Sequence, residues 1–257
     1  MREKIFILFL LLFVCKMATA QNGIVSSDGT LNDKFGKKAG SLRFSATTLK
    51  FGRIKNNATK TDTIRIFNSG SNAVNLSLGK IPSHLTCQLQ SSSVASNEES
   101  WMTVSFDAAK KNDYGFVLDG IELITNDPDQ QKKNISVTAT IEEFFPPAAD
   151  SVSPTKARWA ETTFDYGHLK QGDKLTHEFI VYNDGKKDLQ IHKTKTNCGC
   201  LKAKVAKPTI APGDSTVVKV DFDSFGKEGK DSRKVNVYLN DPAKPDVTIE
   251  MKGEISK

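Results

Sequence analysis

The amino-acid sequence predicts an all-β protein made of two tandem immunoglobulin-like antiparallel β-sandwiches. Apolar residues alternate with polar ones over short runs, as in residues 102–106 and 218–222. Turn-forming tripeptides of the Asn-Ser-Gly, Asn-Asp-Gly and Asn-Asp-Pro kind separate these runs. A period of two with such turns is typical of half-buried antiparallel strands. About seven strands in a hundred residues fit an immunoglobulin-like sandwich.

An internal duplication supports the tandem arrangement. Residues 43–52 align with residues 158–167 at a constant offset of 115, and four of the ten pairs are identical. Asn68-Ser69-Gly70 aligns with Asn183-Asp184-Gly185 at the same offset, and Asn126-Asp127-Pro128 aligns with Asn240-Asp241-Pro242 at an offset of 114. Landmarks that keep their spacing over a whole domain indicate two copies of one module.

The N-terminus has the pattern of a secretory signal peptide. Arg2 and Lys4 precede an apolar run that is too short to span a bilayer, and Ala18-Thr19-Ala20 follows. We expect cleavage after Ala20 and a mature protein in the periplasm or outside the cell. Loss of this segment lowers the formal net charge from +6 to +4. That mild excess favours a soluble surface with some preference for anionic partners, and it does not indicate nucleic-acid binding.

The rest of the chain divides by composition. Residues 21–41 are rich in Gly, Ser, Asp, Asn and Lys, which predicts a disordered tether. The first sandwich is expected at 42–143 and the second at 157–257. Between them, residues 144–156 contain Pro146-Pro147 and predict a stiff linker. No later stretch is long and apolar enough to predict a transmembrane helix.

The motif Asn197-Cys198-Gly199-Cys200 is the main candidate site. Two thiols two residues apart share one face of an extended segment, and Gly199 permits a turn that brings the sulfurs closer. Three hypotheses follow. The cysteines are packing residues at a turn, or a redox pair, or ligands of a soft metal such as Cu(I) or Zn(II) together with His192.

Four lysines, Lys193, Lys195, Lys202 and Lys204, form a basic flank around the motif. Leu201, Ala203 and Val205 share one parity, so Lys202 and Lys204 lie on the opposite face. Extending this phase backwards places both cysteines on the lysine side, where nearby ammonium groups would favour thiolate. A turn at Gly199 would reset that phase. The third mature cysteine, Cys87, alternates with Leu85 and Leu89, which predicts a thiol that faces the core.

Other signatures of chemistry are missing from the sequence. It contains no nucleophile elbow, no phosphate loop and no aromatic-basic nucleic-acid motif. We therefore predict no enzyme activity, no catalytic residues and no cofactor.

The order of motifs in the second copy resembles a known family. Phe164-Asp165-Tyr166-Gly167, Asn183-Asp184-Gly185, the Cys-Gly-Cys turn, Ile210-Ala211-Pro212-Gly213 and Asn240-Asp241-Pro242 follow one another as in the exported bacterial domain of unknown function 1573, common in Bacteroidota-type genomes. The resemblance implies an immunoglobulin-like fold of the Hydin and major-sperm-protein type, and export. The first copy replaces the Cys-Gly-Cys turn with residues 82–87.

The sequence thus predicts an exported binding or structural protein of the bacterial cell envelope. The expected partner is another envelope protein or an anionic envelope component, bound in part through exposed strand edges. A thiol-redox or metal-handling protein that uses Cys198 and Cys200 is the alternative.

Overall fold

The computed structural model describes residues 28–146 and 154–257. The predicted signal peptide, residues 21–27 of the predicted tether and residues 147–153 of the predicted linker lie outside the described residues. Within these ranges, no helix is long and apolar enough to cross a membrane.

The first domain is a two-layer β-sandwich. One sheet has the strand order β1-β2-β4-β8-β6, and the other has the order β3-β10-β9-β5-β7. A helix α1 (Asp28–Lys34) precedes the strands, and a single-turn helix α2 (Ala108–Lys111) follows the eighth. The strands are β1 (Lys37–Ala39), β2 (Leu42–Phe44), β3 (Thr48–Lys55), β4 (Thr59–Asn68), β5 (Val74–Leu78), β6 (Leu85–Leu89), β7 (Ser93–Val94), β8 (Glu99–Asp107), β9 (Gly115–Thr125) and β10 (Lys132–Glu142).

The second domain repeats this architecture. One of its sheets has the strand order β11-β13-β17-β15, and the other has the order β12-β19-β18-β14-β16. The strands are β11 (Ala157–Trp159), β12 (Thr163–Lys170), β13 (Lys174–Asn183), β14 (Leu189–Thr196), β15 (Leu201–Val205), β16 (Thr209–Ile210), β17 (Ser215–Asp223), β18 (Gly229–Leu239) and β19 (Asp246–Ser256). The predicted fold class, two tandem all-β immunoglobulin-like sandwiches, is confirmed.

Equivalent irregularities show that the two copies share their backbone path. β3 runs parallel to β10, and β12 runs parallel to β19, each with one register shift. The shifts fall at Gly52 and Gly167, which both have a φ of +66°. Only glycine adopts this conformation without steric cost, so the sequence places glycine at the same point of both copies.

Each domain has a core of its own. The alternating residues of the sequence fill the space between the two sheets, as Phe106 does in the first domain and Phe222 in the second. Both phenylalanines are almost completely buried. The period-two pattern therefore locates the inner faces of the strands correctly.

The prediction of a disordered tether is wrong from Asp28 onward. Phe35 is completely buried and packs against Phe67, with ring centroids 5.5 Å apart. β1 then pairs antiparallel with β2 and becomes an edge strand of the first sheet. The segment is polar in overall composition, but the single buried side chain of Phe35 holds it against the first domain. A prediction of disorder from average composition does not detect one such residue.

A buried carboxylate holds the start of the first sandwich. Asp127 Oδ2 accepts hydrogen bonds from the backbone N of Ser41 (2.8 Å) and from Lys133 Nζ (2.9 Å), and Asp127 and Lys133 are both buried. In the second domain, Asp241 Oδ2 accepts from the backbone N of Ala157 in the same way (2.8 Å). The Asn-Asp-Pro turns thus fasten the N-terminal ends of β2 and β11, which occupy equivalent places in the two copies.

Candidate functional site

The Cys-Gly-Cys motif forms a turn between β14 and β15. The backbone N of Leu201 donates to the carbonyl of Cys198 (3.3 Å), which closes the turn. Asn197 ends the pairing of β14, because its backbone N donates to Lys234 O and its side-chain oxygen accepts from Lys234 N, both at 3.1 Å. Two strand ends therefore fix the position of both cysteines.

Cys198 and Cys200 are joined by a disulfide, and their Cα atoms are 5.3 Å apart. Both are half-buried and pack against the apolar core of the second domain. The backbone N of Cys200 also donates to Cys198 Sγ at 3.2 Å. The expectation that the cysteines share the lysine face is therefore wrong, because the turn at Gly199–Cys200 resets the strand phase.

The four lysines of the basic flank do not gather around the cysteines. Lys202 and Lys204 are exposed on β15. Lys193 and Lys195 instead reach the first domain, where their Nζ atoms lie 2.7 and 3.2 Å from Asp113 Oδ1. Burial alone would raise the pKa of Asp113, but the hydrogen bonds from Lys193, the Tyr114 backbone and Lys195 hold that pKa below its usual range.

His192, the third candidate metal ligand, belongs to the junction between the domains. It occupies a register shift of β14 between Ile191 and Lys193, and its ring stacks on Tyr114 with centroids 4.7 Å apart. Its Nε2 lies 3.4 Å from Glu143 Oε2 without forming a hydrogen bond. Burial lowers the pKa of His192 despite the attraction of Glu143. Over residues 28–146 and 154–257, His, Cys, Asp and Glu form no group of three that could hold a metal, so His192 does not join Cys198 and Cys200 in one site.

Aromatic residues complete this junction. Tyr114 lies between His192 and Tyr238, and the ring centroids of Tyr114 and Tyr238 are 6.2 Å apart. Burial and the hydrogen bond to Glu143 raise the pKa of Tyr114 to about 12. Gly115 has a φ of +69°, and a Cβ on it would collide with the Tyr238 hydroxyl. Sequence reasoning missed this junction, since contacts between two domains leave no periodic signal in either.

In the first domain, His84 occupies the place of Cys200. The backbone N of Asp107 donates to His84 O, just as that of Asp223 donates to Cys200 O, both at 3.0 Å. His84 is buried, and its Nε2 lies 3.0 Å from Asp119 Oδ2. Lys111 Nζ binds both oxygens of Asp119, at 2.7 and 2.8 Å. An ionic cluster thus stands where the second domain has its disulfide.

The sequence analysis does not single out His84 and therefore also missed this cluster. An offset of 116 aligns Phe106 with Phe222, and the same offset aligns His84 with Cys200. This alignment could have drawn attention to His84 as the counterpart of a candidate site residue. Cys87, by contrast, packs against the core of the first domain as predicted. Burial raises the pKa of its thiol to about 11.

Comparisons with known proteins confirm the resemblance inferred from the motifs. The family model described as "Protein of unknown function (DUF1573)" matches residues 157–255. The one described as "HYDIN/CFA65/VesB-like, Ig-like domain" matches residues 40–140. Both describe Ig-like or uncharacterised domains, and no curated protein matches the sequence.

Solved structures are similar in fold. A protein of unknown function from Porphyromonas gingivalis has a TM-score of 0.59 at 20% identity, covering 84% of this chain and 100% of that one. The ASH / PapD-like domain 7 of human CEP192 has a TM-score of 0.34 at 9% identity, covering 45% of this chain and 94% of that one. The first likeness is longer than a single sandwich, so the fold it shows includes both domains. Folds of this immunoglobulin-like type are typical of protein-binding modules.

Proposed function

We propose that this protein is an exported, non-enzymatic binding protein of the bacterial cell envelope that acts through contacts with another protein. The observation that carries the proposal is a pair of large apolar side chains on the outer face of β9. Phe116 and Leu118 lie two residues apart on that face and are 61% and 63% exposed. Neighbouring apolar side chains on a water-facing sheet mark interaction sites more often than isolated ones do.

The contacts made by the cysteines and by His84 and His192 support binding over catalysis. Cys198 and Cys200 are bonded to each other, and burial lowers the pKa of both His84 and His192. These groups serve the turn, the core of the first domain and the domain junction. They are thus engaged in structural contacts instead of converging on an open cleft.

Cross-linking in the source cells tests the binding function. The double variant Phe116→Ser, Leu118→Ser should lose its cross-linked partner, because the apolar contact area is removed while the core stays intact. Trp101→Ser is the matched control, since Trp101 is 45% exposed on the other sheet. A partner that is lost with Trp101→Ser and kept with the double variant would contradict the proposed surface. If moderate salt during the cross-linking reaction abolishes the cross-link in the parent and in Trp101→Ser alike, the partner would be an anionic envelope component.

Export is part of the same proposal, and it rests on the basic, apolar and small-residue pattern of residues 1–20. N-terminal sequencing of the protein from the envelope should give Gln21 as the first residue. A start at Cys15, or a retained Met1 in the cytoplasm, would contradict this.

A thiol-redox function is the second candidate, favoured by the position of Cys200 in the wall of a surface cleft with Gly199 and Lys202. An external dithiol would break the bond between the two sulfurs, transferring two electrons and two protons to give two thiols while itself becoming a disulfide. Mass spectrometry after alkylation under native conditions should find no modified Cys198 or Cys200 before reduction and two after it. Reduction at dithiol concentrations that leave ordinary structural disulfides intact would favour this candidate.

A further inference from the structure

β5 and β14 occupy equivalent positions in the two domains but end differently. β14 pairs with β18 from Leu239 to Val235. β5 pairs with β9 only from Thr125 to Leu123, and two further backbone bonds join Glu122 to Gly79 and Lys80. The chain then leaves the sheet, so Gly120 lacks the partner that Asn197 supplies to its equivalent in the second domain, Lys234.

Within residues 28–146 and 154–257, no strand therefore pairs with residues 116–120 of β9 on the side away from β10. Glu122 directs both its N–H and its C=O toward residues 79–80. Because strand residues alternate, Gly120 and Leu118 direct theirs to the same side. In the part of the chain that the structure describes, neither has a backbone partner there. Gly120 is exposed, and because glycine has no side chain, it is the backbone that is exposed.

This free edge is bordered by groups that define what fits it. On the outer face stand the exposed side chains of Phe116 and Leu118. On the inner face Asp119 is held by Lys111 and His84. The edge continues directly into the domain junction, because Lys195 Nζ donates to the carbonyl of Phe116 at 2.9 Å.

We propose that an extended segment of a partner protein pairs antiparallel with residues 117–120 of β9, extending this side of the sheet beyond the point where the chain leaves it at Lys80. The segment carries apolar residues at alternate positions, which pack against Phe116 and Leu118. Backbone bonds to Leu118 and Gly120 supply affinity, and the apolar side chains supply selectivity. This inference rests on the proposed binding function and names its site.

Amide hydrogen exchange tests the site with a defined probe, a synthetic nine-residue peptide of alternating valine and threonine with a glutamate at each end. In the free protein the amides of Leu118 and Gly120 should exchange rapidly, while those of Val117 and Asp119, which face β10, are protected. Addition of the peptide should protect Leu118 and Gly120 selectively.

Two variants at one position separate strand pairing from general surface binding. Gly120→Pro removes an N–H that points away from β10, and proline is tolerated at such an edge position. It should weaken peptide binding about tenfold, the factor that one hydrogen bond is worth. Gly120→Ala keeps the N–H, and a Cβ there meets nothing within 4 Å, so its binding should match the parent.

Other outcomes overturn the site or change its occupant. If the amides of Leu118 and Gly120 exchange slowly in the free protein at every dilution, this chain covers its own edge. If their protection depends on protein concentration, a second copy of the chain covers it. Either result overturns the partner strand. Peptide protection along β15 instead would overturn only the site and leave the binding function standing. If the native partner binds Gly120→Pro and the parent equally, the site fails while the function survives.

Discussion

Two asparagines at equivalent strand ends, Asn68 and Asn183, act as hubs of their domains. Each is completely buried, and each side-chain amide donates to two backbone carbonyls while its oxygen accepts from the N–H two residues later. The turn tripeptides recognised in the sequence are therefore more than turns. They connect the end of one strand to two other segments, which explains why Asn is retained in both copies.

Replacing Asn68 with alanine should destabilise the first domain strongly. Two carbonyls, of Asn72 and Val94, and the N–H of Gly70 lose their partners in one change. We expect a loss of about 2–4 kcal/mol in the free energy of unfolding, measured by denaturant titration. Asn75→Ala, on the exposed face of β5, is the control and should change little. Equal free energies of unfolding of the two variants would show that the hydrogen bonds of Asn68 do not stabilise the first domain.

His84 should make stability depend on pH. Burial lowers its pKa below 6.5, against the opposing attraction of Asp119 and with a contribution from Lys111. The unfolded chain then binds the proton more readily, so the contribution of His84 is complete above pH 6.5 and is lost as the pH falls. His84→Gln should flatten the slope of unfolding free energy between about pH 7 and 5, by at most about 1.4 kcal/mol per pH unit.

The control for this titration is His168→Gln, because His168 is highly exposed on β12. His192 also has a lowered pKa, but it is present in the parent and in both variants, so its contribution cancels in the comparison. A slope that steepens in His84→Gln would mean that the ionic cluster prefers the protonated ring, which would reverse the expected direction of the pH dependence.

Among the elements, those with regular alternation could be predicted from sequence and those that break it could not. β8 and β17 show the period of two without interruption and face the core as expected. β14 loses the pattern after Ile191, where its register shift lies and where its lysines turn to the other domain. The Cys-Gly-Cys turn interrupts the phase between β14 and β15, so parity carried across it gave the wrong face for both cysteines. Phe35 anchors the N-terminal segment alone, which no pattern reveals.

The start of β9 is the element on which the domain junction depends. Gly115 has a positive φ, and any side chain there would meet Tyr238 of the second domain. Gly115→Ala should cost about 1–2 kcal/mol of backbone strain and should also push the domains apart. Small-angle X-ray scattering should show an increased radius of gyration. Gly120→Ala, five residues along the same strand, should leave both measurements unchanged, and an unchanged radius in Gly115→Ala would contradict the tight junction.

At the scale of the whole molecule, two separate cores are joined by a polar and aromatic junction. No residue of one apolar cluster belongs to the other among the described residues. The junction contributes the Tyr114–His192 stack and the ion pairs of Asp113 with Lys193 and Lys195. Such contacts orient domains, but they are too few to replace a core. Sequence periodicity therefore reveals both cores and remains silent on their mutual orientation.

Fragments 28–146 and 154–257 should each unfold in one cooperative transition, because each includes a complete core. The first fragment begins at Asp28 because Phe35 and β1 belong to its fold. A version that begins at residue 42 should be less stable, since Phe67 loses its aromatic partner.

The second domain should be about 1–3 kcal/mol less stable alone than in the whole chain, since it loses two ring contacts with Tyr114, two ion pairs with Asp113 and the hydrogen bond from Lys195 to Phe116. Calorimetry of the fragment and of the whole chain measures this difference. Asp113→Asn in the whole chain should remove part of this difference, and high salt should do the same, whereas the isolated second domain, which does not contain Asp113, should respond less to salt. Disorder of either fragment alone would show that the cores depend on each other. Equal stability inside and outside the chain would show that the junction does not couple the domains.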